Sequence, residues 1–521
     1  MRRAAPFLLV GLLAAACGSV PSGDARVDST RFPGAAERSA PATTGGSGST
    51  TATTAGSTAT TKPPTAGAPA STLAWQSCGK KLQCATLTVP KDYDDASKGT
   101  LDLFLKRRPA DRKASRIGSL LVNPGGPGVA GTELADQASA AFGPDLLLRF
   151  DIVGWDPRGT GKSGEVQCVK NLDPYFAIDQ SAEDAAEAKA LVDAAKDFAA
   201  QCGKNAGDLL PYISTEATAR DMDSIRRALG EDKISYFGFS YGSELGAVWA
   251  TLFPTTVRAV VLDGASDVNA DFAEDLKQQT IGLERVLDSL LADCARDRSC
   301  PIYNNGKPGE VYDRVMAGLD ATPLTVPDAP GRPPVNQGVA SIAVTSVLYT
   351  RDTWPLITSA IAEAENGNGK PLLDLYDAYL TGFGQHAFEA LIAIRCIDTG
   401  GQENTDLVAL DKELRAIAPR LGQFAIGTPF CTDWPAKGKV EPKVSGKGAG
   451  PIVVVGTTGD PVTPIEASAN LAKSLEQGVL LTVQAEQHTG YGTSACVDSA
   501  VDGYLIRLEV PEAGTVCKAS G

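Results

Sequence analysis

From residue 73 onward the chain alternates short apolar runs with longer amphipathic stretches. Residues 101–105 read Leu-Asp-Leu-Phe-Leu, the apolar-polar alternation of a half-buried strand. Residues 119–123 and 150–155 are mostly apolar without that alternation, as strands buried on both faces are. Runs at 234–238, 257–262 and 451–455 have the same character, and 479–483 is read as the last strand. Stretches rich in Ala, Asp and Lys predict helices over roughly 182–202 and 215–229. Strands alternating with helices predict an α/β class fold built on a mostly parallel sheet.

The pattern changes over residues 266–448, which are mainly helical with proline-rich loops around 323–334. Sheet-like sequence resumes afterwards with its former character. The expected organisation is therefore a core in two parts, residues 73–265 and 449–521, interrupted by a helical cap or lid at 266–448. No internal repeat is present.

The residues before 73 are of another kind. Residues 39–72 consist of Ser, Thr, Ala, Pro and Gly with Lys62 as the one exception, too little apolar surface to offset the entropy of ordering. Residues 17–72 are therefore expected to be a flexible tether. Arg2 and Arg3 precede an apolar run at 6–16 that is too short to span a bilayer, as in an export signal over residues 1–16. Ala14-Ala15-Ala16-Cys17 then resembles the lipobox of bacterial lipoproteins, which favours Leu, Val or Ile where Ala14 stands. That resemblance implies lipidation of Cys17 and a membrane-anchored extracytoplasmic protein; ordinary cleavage and secretion is the alternative.

Composition narrows the class further. Among 521 residues 43% are hydrophobic and 21% charged, as expected of a soluble globular protein. A net charge of −14 argues against nucleic-acid partners, whose phosphates need a basic surface. Eleven cysteines leave ten once Cys17 is set aside, and an even number in an exported chain reads as disulfides. The simplest pairing joins chain neighbours: Cys78 with Cys84, Cys168 with Cys202, Cys294 with Cys300, Cys396 with Cys431 and Cys496 with Cys517. Sequence alone does not fix connectivity. With only two histidines and no Cys-x-x-Cys, neither a zinc site nor another metal or cofactor is expected. Oligomeric state is left open.

The chemistry concentrates at Gly238-Phe239-Ser240-Tyr241-Gly242, between an apolar strand and a helix-like run. Strand, tight turn and helix are the context in which Gly-x-Ser-x-Gly becomes a nucleophile elbow. There the backbone N–H of Tyr241 faces the developing oxyanion. A second donor is expected from Asn123-Pro124-Gly125-Gly126-Pro127-Gly128 at the end of a buried strand, with the amide of Gly126 as candidate. A serine nucleophile needs a base. His386 falls in the helical insertion, whereas His488 follows the last sheet strand, and Asp460 lies between Ser240 and His488 at the end of another strand. Ser240, Asp460 and His488 thus stand in the chain order of an α/β-hydrolase triad. Thr463, Pro464 and Glu466 read as N-cap, N1 and N3 of a helix that would hold the Asp460 loop. Gly159-Thr160-Gly161-Lys162-Ser163 mimics a phosphate-binding loop, but Asp156 stands where glycine is required and Pro157 and Arg158 crowd the turn.

Taken together, the Asn123 loop, the segment from Gly154 through Ser163, the Ser240 elbow, Asp460-Pro461-Val462-Thr463-Pro464 and His488 resemble the α/β-hydrolase exopeptidases. The set is similar to the proline iminopeptidase and tripeptidyl aminopeptidase family of actinobacteria, including its C-terminal region. The family's oxyanion loop often begins with His, where this chain has Asn123. The resemblance implies a serine exopeptidase that releases short peptides from free N-termini and holds the substrate amine with carboxylates of the cap, with Asp398 as candidate. A peptide substrate is thus implied; a small ester substrate, handled by a carboxylesterase with the same triad, is the alternative. A non-catalytic envelope binding protein is a third reading, opposed by the intact Ser, Asp and His.

Overall fold

The strands form where apolar side chains can be covered on both faces. The computed structural model describes residues 73–399, 405–438 and 442–519. The proposed export signal, Cys17 and the tether lie outside the described residues. Ten strands make one sheet: β1 (Gln76–Gly79), β2 (Leu82–Pro90), β3 (Thr100–Arg108), β4 (Gly118–Asn123), β5 (Phe150–Trp155), β6 (Ile234–Phe239), β7 (Val257–Asp263), β8 (Ile452–Thr457), β9 (Gly478–Gln484) and β10 (Val516–Lys518). Their order is β1-β2-β3-β5-β4-β6-β7-β8-β9-β10. The first three pair antiparallel and lead into β5, also antiparallel; every pair from β5 to β10 is parallel.

All residues of β4, β5, β6 and β8 are buried. Successive side chains of a strand point to opposite faces. Accordingly Leu120 and Val122 join a cluster with Phe237, Val261 and Val453, while Leu121 joins another with Tyr236, Val260 and Val454. This two-sided burial explains why these runs lack polar alternation.

Three strands differ from expectation. β1 and β2 form an edge hairpin that the pattern read above does not include, and β10 follows β9, so residues 479–483 are not the last strand. β10 has only three residues, too few for a periodic signal, and Cys496–Cys517 fastens it to the helix Ala495–Arg507. The helix expected at 182–202 runs Ala185–Ala206, because the Asp184 carboxylate caps it by accepting from the Ala186 and Glu187 amides.

Between β7 and β8 the chain forms the helices Phe272–Arg296, Pro308–Ala321, Gln337–Val347, Trp354–Glu365, Lys370–Gly382, Ala387–Asp398 and Leu407–Ile417. Most of them share a hydrophobic cluster that includes Val286, Leu290, Tyr312, Val344, Trp354 and Tyr376. The helix Ala387–Asp398 is different: Ala390, Ala393, Ile394 and Ile397 join the sheet's own cluster. The five neighbouring cysteine pairs are all bonded, Cys78–Cys84, Cys168–Cys202, Cys294–Cys300, Cys396–Cys431 and Cys496–Cys517.

Candidate active site

β6 ends at Phe239, and Ser240 turns the chain into the helix Tyr241–Leu252 with φ 54° and ψ −126°. A positive φ at a non-glycine residue is strained and persists only where its surroundings enforce it. Here they do: the Ser240 N–H donates to the carbonyl of Asp263 at 2.8 Å. The flanking glycines are sterically required. A Cβ on Gly238 would lie 2.1 Å from the Gly242 carbonyl oxygen, and one on Gly242 would lie 2.9 Å from that of Asn123.

The loop after β4 arches over this turn. A Cβ on Gly125 would lie 2.8 Å from the Ser240 Cβ, so Gly125 sits directly on the serine. Its N–H donates to Asn123 Oδ1 at 2.9 Å. Gly126 follows with φ +109°, a conformation glycine tolerates. Gly128 touches the first turn of the helix Ala387–Asp398, where an added Cβ would be 2.2 Å from the Ala387 carbonyl oxygen.

Asp460 and His488 meet as expected from chain order. His488 Nδ1 is 2.8 Å from Asp460 Oδ2 and 3.0 Å from Oδ1. Asp460 is buried and also accepts from the Val462 and Thr463 amides at 3.0 and 2.8 Å. The Thr463 hydroxyl donates to Asp460 Oδ2 at 2.9 Å. This corrects the expected N-cap role: the helix runs Ile465–Ser474 with Pro464 at the cap position, and Thr463 is turned to the carboxylate instead. Burial of the imidazole opposes its protonation, but the charge and hydrogen bond of Asp460, aided by Asp263, outweigh it and hold the His488 pKa above its ordinary value. Among the described residues, His488 Nε2 is buried without a hydrogen-bond partner. The ring lies against Gly264, where an added Cβ would be 3.0 Å from Cε1. Gly264 follows Asp263, the residue that accepts the Ser240 N–H, so His488 and Ser240 are both packed at the end of β7.

Asp263 is a residue that the sequence reading missed. Its carboxylate accepts from Gly490 and Tyr491 amides at 2.7 and 2.8 Å, fixing the loop after His488, while its carbonyl holds Ser240. Burial pushes its carboxyl up to about 6, against the effect of those two amides. Its position at the end of a buried strand is the one signal that points to it.

Asp398 and His386 both have partners of their own within the protein. Both oxygens of the buried Asp398 are engaged by Thr215: Oδ1 accepts the amide at 2.9 Å and Oδ2 the hydroxyl at 2.7 Å. That geometry suits a brace rather than a carboxylate open to a substrate amine. His386 is paired through Nδ1 with Glu389 Oε2, and Glu389 Oε1 accepts from the Cys168 and Val169 amides at 2.7 Å each. The Gly159–Ser163 segment is a tight turn in which Asp156 Oδ2 accepts the Lys162 amide at 2.9 Å. No group of three or more metal-binding side chains occurs among the described residues.

Comparison with known proteins fits this geometry. Residues 118–309 match the family described as alpha/beta hydrolase fold, and residues 418–517 match the family described as TAP-like protein. The chain is 35% identical to the serine protease Hip1 of Mycobacterium tuberculosis over 83% of its own length and 87% of that protein. It is 34% identical to carboxylesterase B of the same organism, over 87% and 92% of the two chains. It is 28% identical to the tripeptidyl aminopeptidase of Streptomyces lividans, over 83% and 84%. With strand, elbow and carboxylate–imidazole pair in place and relatives aligned along most of their length, the chain belongs to the TAP-like family of α/β-hydrolases.

Proposed function

We propose that this protein is an extracytoplasmic serine peptidase that removes short peptides from free N-termini through an acyl-enzyme, with Ser240, Asp460 and His488 as its triad. The observation that carries the reading is the Asp460–His488 hydrogen bond, with Nε2 of the same ring buried and unpartnered beside the strand end that holds Ser240. Ser240 Oγ attacks the scissile carbonyl while His488 Nε2 takes its proton. The amides of Tyr241 and Gly126 stabilise the oxyanion; Gly125 is already committed to Asn123. The imidazolium returns the proton to the leaving amine, and water, activated by the same ring, releases the acyl group.

The segment 266–448 serves as a cap that selects the substrate. A free N-terminus carries a charge that is costly to desolvate without a carboxylate. Glu389, on the helix turn that touches Gly128, is the alternative to Asp398. Like Asp398 it is buried, with Oε1 taken by the Cys168 and Val169 amides and Oε2 by the mostly buried His386. Either carboxylate would therefore exchange a protein partner for the substrate amine. Five disulfides favour an oxidising compartment. A lipid on Cys17 with residues 17–72 as tether would hold the enzyme at the membrane surface.

Digestion of matched free and N-acetylated peptides, read by mass spectrometry beside Ser240→Ala, tests the reading. Acetylation should lower kcat/KM by about 10²-fold, the scale of one charge-assisted hydrogen bond. Equal rates on both would leave the second reading, a carboxylesterase using the same triad, which the similarity to carboxylesterase B favours.

A further inference from the structure

The helix Ala387–Asp398 belongs by sequence to the inserted segment, yet it touches both halves of the proposed oxyanion site. At its first turn the Ala387 carbonyl abuts Gly128, two residues beyond Gly126. At its last residue Asp398 starts a buried polar chain: Asp398 Oδ2 to Thr215 Oγ1 at 2.7 Å, then Thr215 Oγ1 to the Tyr241 hydroxyl at 2.5 Å. Asp398, Thr215 and Tyr241 are 8%, 0% and 4% exposed, so water does not compete for these bonds. Between the two ends, Arg395 reaches the same elbow helix. Its Nη1 lies 2.9 Å from Glu244 Oε2, and its guanidinium stands 5.6 Å over the Tyr241 ring.

The proton directions in this chain are determined by the acceptor at its end. Burial raises the Asp398 carboxyl to about 7. Above that pH the ionised Asp398 can only accept, so Thr215 donates its one hydroxyl proton to it, and Tyr241 donates to Thr215. Bonds ordered in one direction strengthen one another in a dry site. Tyr241 is thereby fixed at its ring tip as well as at its backbone.

We propose that Asp398, acting through Thr215, is a positioning residue that fixes Tyr241 and hence the backbone N–H that meets the oxyanion. The helix Ala387–Asp398 then sets the spacing between the two oxyanion donors, because one end bears on the Gly126 loop and the other on Tyr241. This rests on the triad reading above. It assigns Asp398 to the transition state of the reaction rather than to the substrate's amine.

The proposal separates kcat from KM. Thr215→Val keeps the size of the side chain and removes the hydroxyl relay; Tyr241→Phe removes its far end; Asp398→Asn weakens its anchor. Each should lower kcat on both an unblocked peptide amide and a small neutral ester by roughly tenfold, less than the 10²–10³ of losing a donor outright, with KM nearly unchanged. Affinity for a peptide boronic acid, whose tetrahedral adduct carries the oxyanion's charge, should fall in parallel. Thr215→Ser should keep parent activity. Asp398→Asn added to Thr215→Val should cost little more than Thr215→Val alone, since both break one chain. Thermal melts identify the folded variants, and Tyr241→Phe carries the test should Asp398→Asn not fold. Parent kcat in folded Thr215→Val and Tyr241→Phe overturns the proposal, as does a loss confined to KM. Activity surviving in Ser240→Ala would instead overturn the triad reading.

Discussion

The backbone N–H of His488 donates to the carbonyl of Tyr349 at 2.8 Å, while the Tyr349 ring meets the imidazole edge-on at 5.5 Å. Arg351 donates to the Glu486 carbonyl at 3.2 Å, so a short stretch of the inserted helical segment is stitched to the loop that carries the imidazole. The two stretches should open as one unit. Hydrogen exchange of peptides covering 349–351 and 486–488 should therefore slow together once Ser240 is labelled with a fluorophosphonate. Independent changes in the two would contradict this.

The two histidines have separate partners, Asp460 for His488 and Glu389 for His386. His488→Ala should lower kcat about 10⁴-fold, while His386→Ala leaves turnover of a small ester near the parent value. Steady-state rates on both variants, with circular dichroism to confirm folding, provide the check. Equal losses would remove His488 from its assigned role.

The charge of Asp460 raises the His488 pKa despite burial. With His488 as the proposed base, activity needs the neutral imidazole, so the acid limb of kcat/KM should lie above the ordinary histidine value of about 6.5. In Asp460→Asn the attraction is gone and burial still acts, so the limb of the residual activity should move to lower pH. A limb that stays in place would mean that another group titrates.

Asp263 makes a prediction about stability. Its folded carboxyl is raised to about 6, above the unfolded value of about 3.9, so its contribution is fullest below the lower figure and is lost as pH rises through the higher. Asp263→Asn should flatten that part of the stability–pH curve relative to the parent. Asn offers one acceptor oxygen where Gly490 and Tyr491 use two, so the variant should also lose about 1–3 kcal/mol at neutral pH. Melting temperatures of both proteins from pH 4 to 7 would measure it.

Intact-mass analysis with thiol alkylation should find the ten cysteines from Cys78 to Cys517 alkylated only after reduction. Cys396–Cys431 ties down the helix Ala387–Asp398, so Cys396→Ser with Cys431→Ser should lower kcat more than the pair Cys294→Ser with Cys300→Ser does. The reverse ranking would count against a catalytic role for that helix.

What the sequence discloses follows the range of the interaction. The elbow is legible because a strained turn, two obligatory glycines and a flanking strand and helix occupy one short stretch. The pairing of Asp460 with His488 is legible because only two histidines exist and one stands after a core strand. Asp398 is not, since its partner Thr215 lies far away in the chain and a carboxylate near a helix end looks alike whether it caps, braces or binds. Thr463 reads as a cap by local grammar, and the nearby Asp460 carboxylate claims its hydroxyl. β10 has no periodicity to show and is placed by a disulfide and by its neighbour β9.

The parallel half of the sheet is also a timetable. β6, with Ser240 at its end, pairs on both sides with strands made early or soon after it, β4 and β7. β8 and β9, which lead into Asp460 and His488, follow only after the whole helical insertion has been laid down. A chain made from its N-terminus thus completes the strand that bears Ser240 well before the strands that lead to Asp460 and His488. The proposed triad is therefore complete only after the residues from 452 onward have been made and laid against β7.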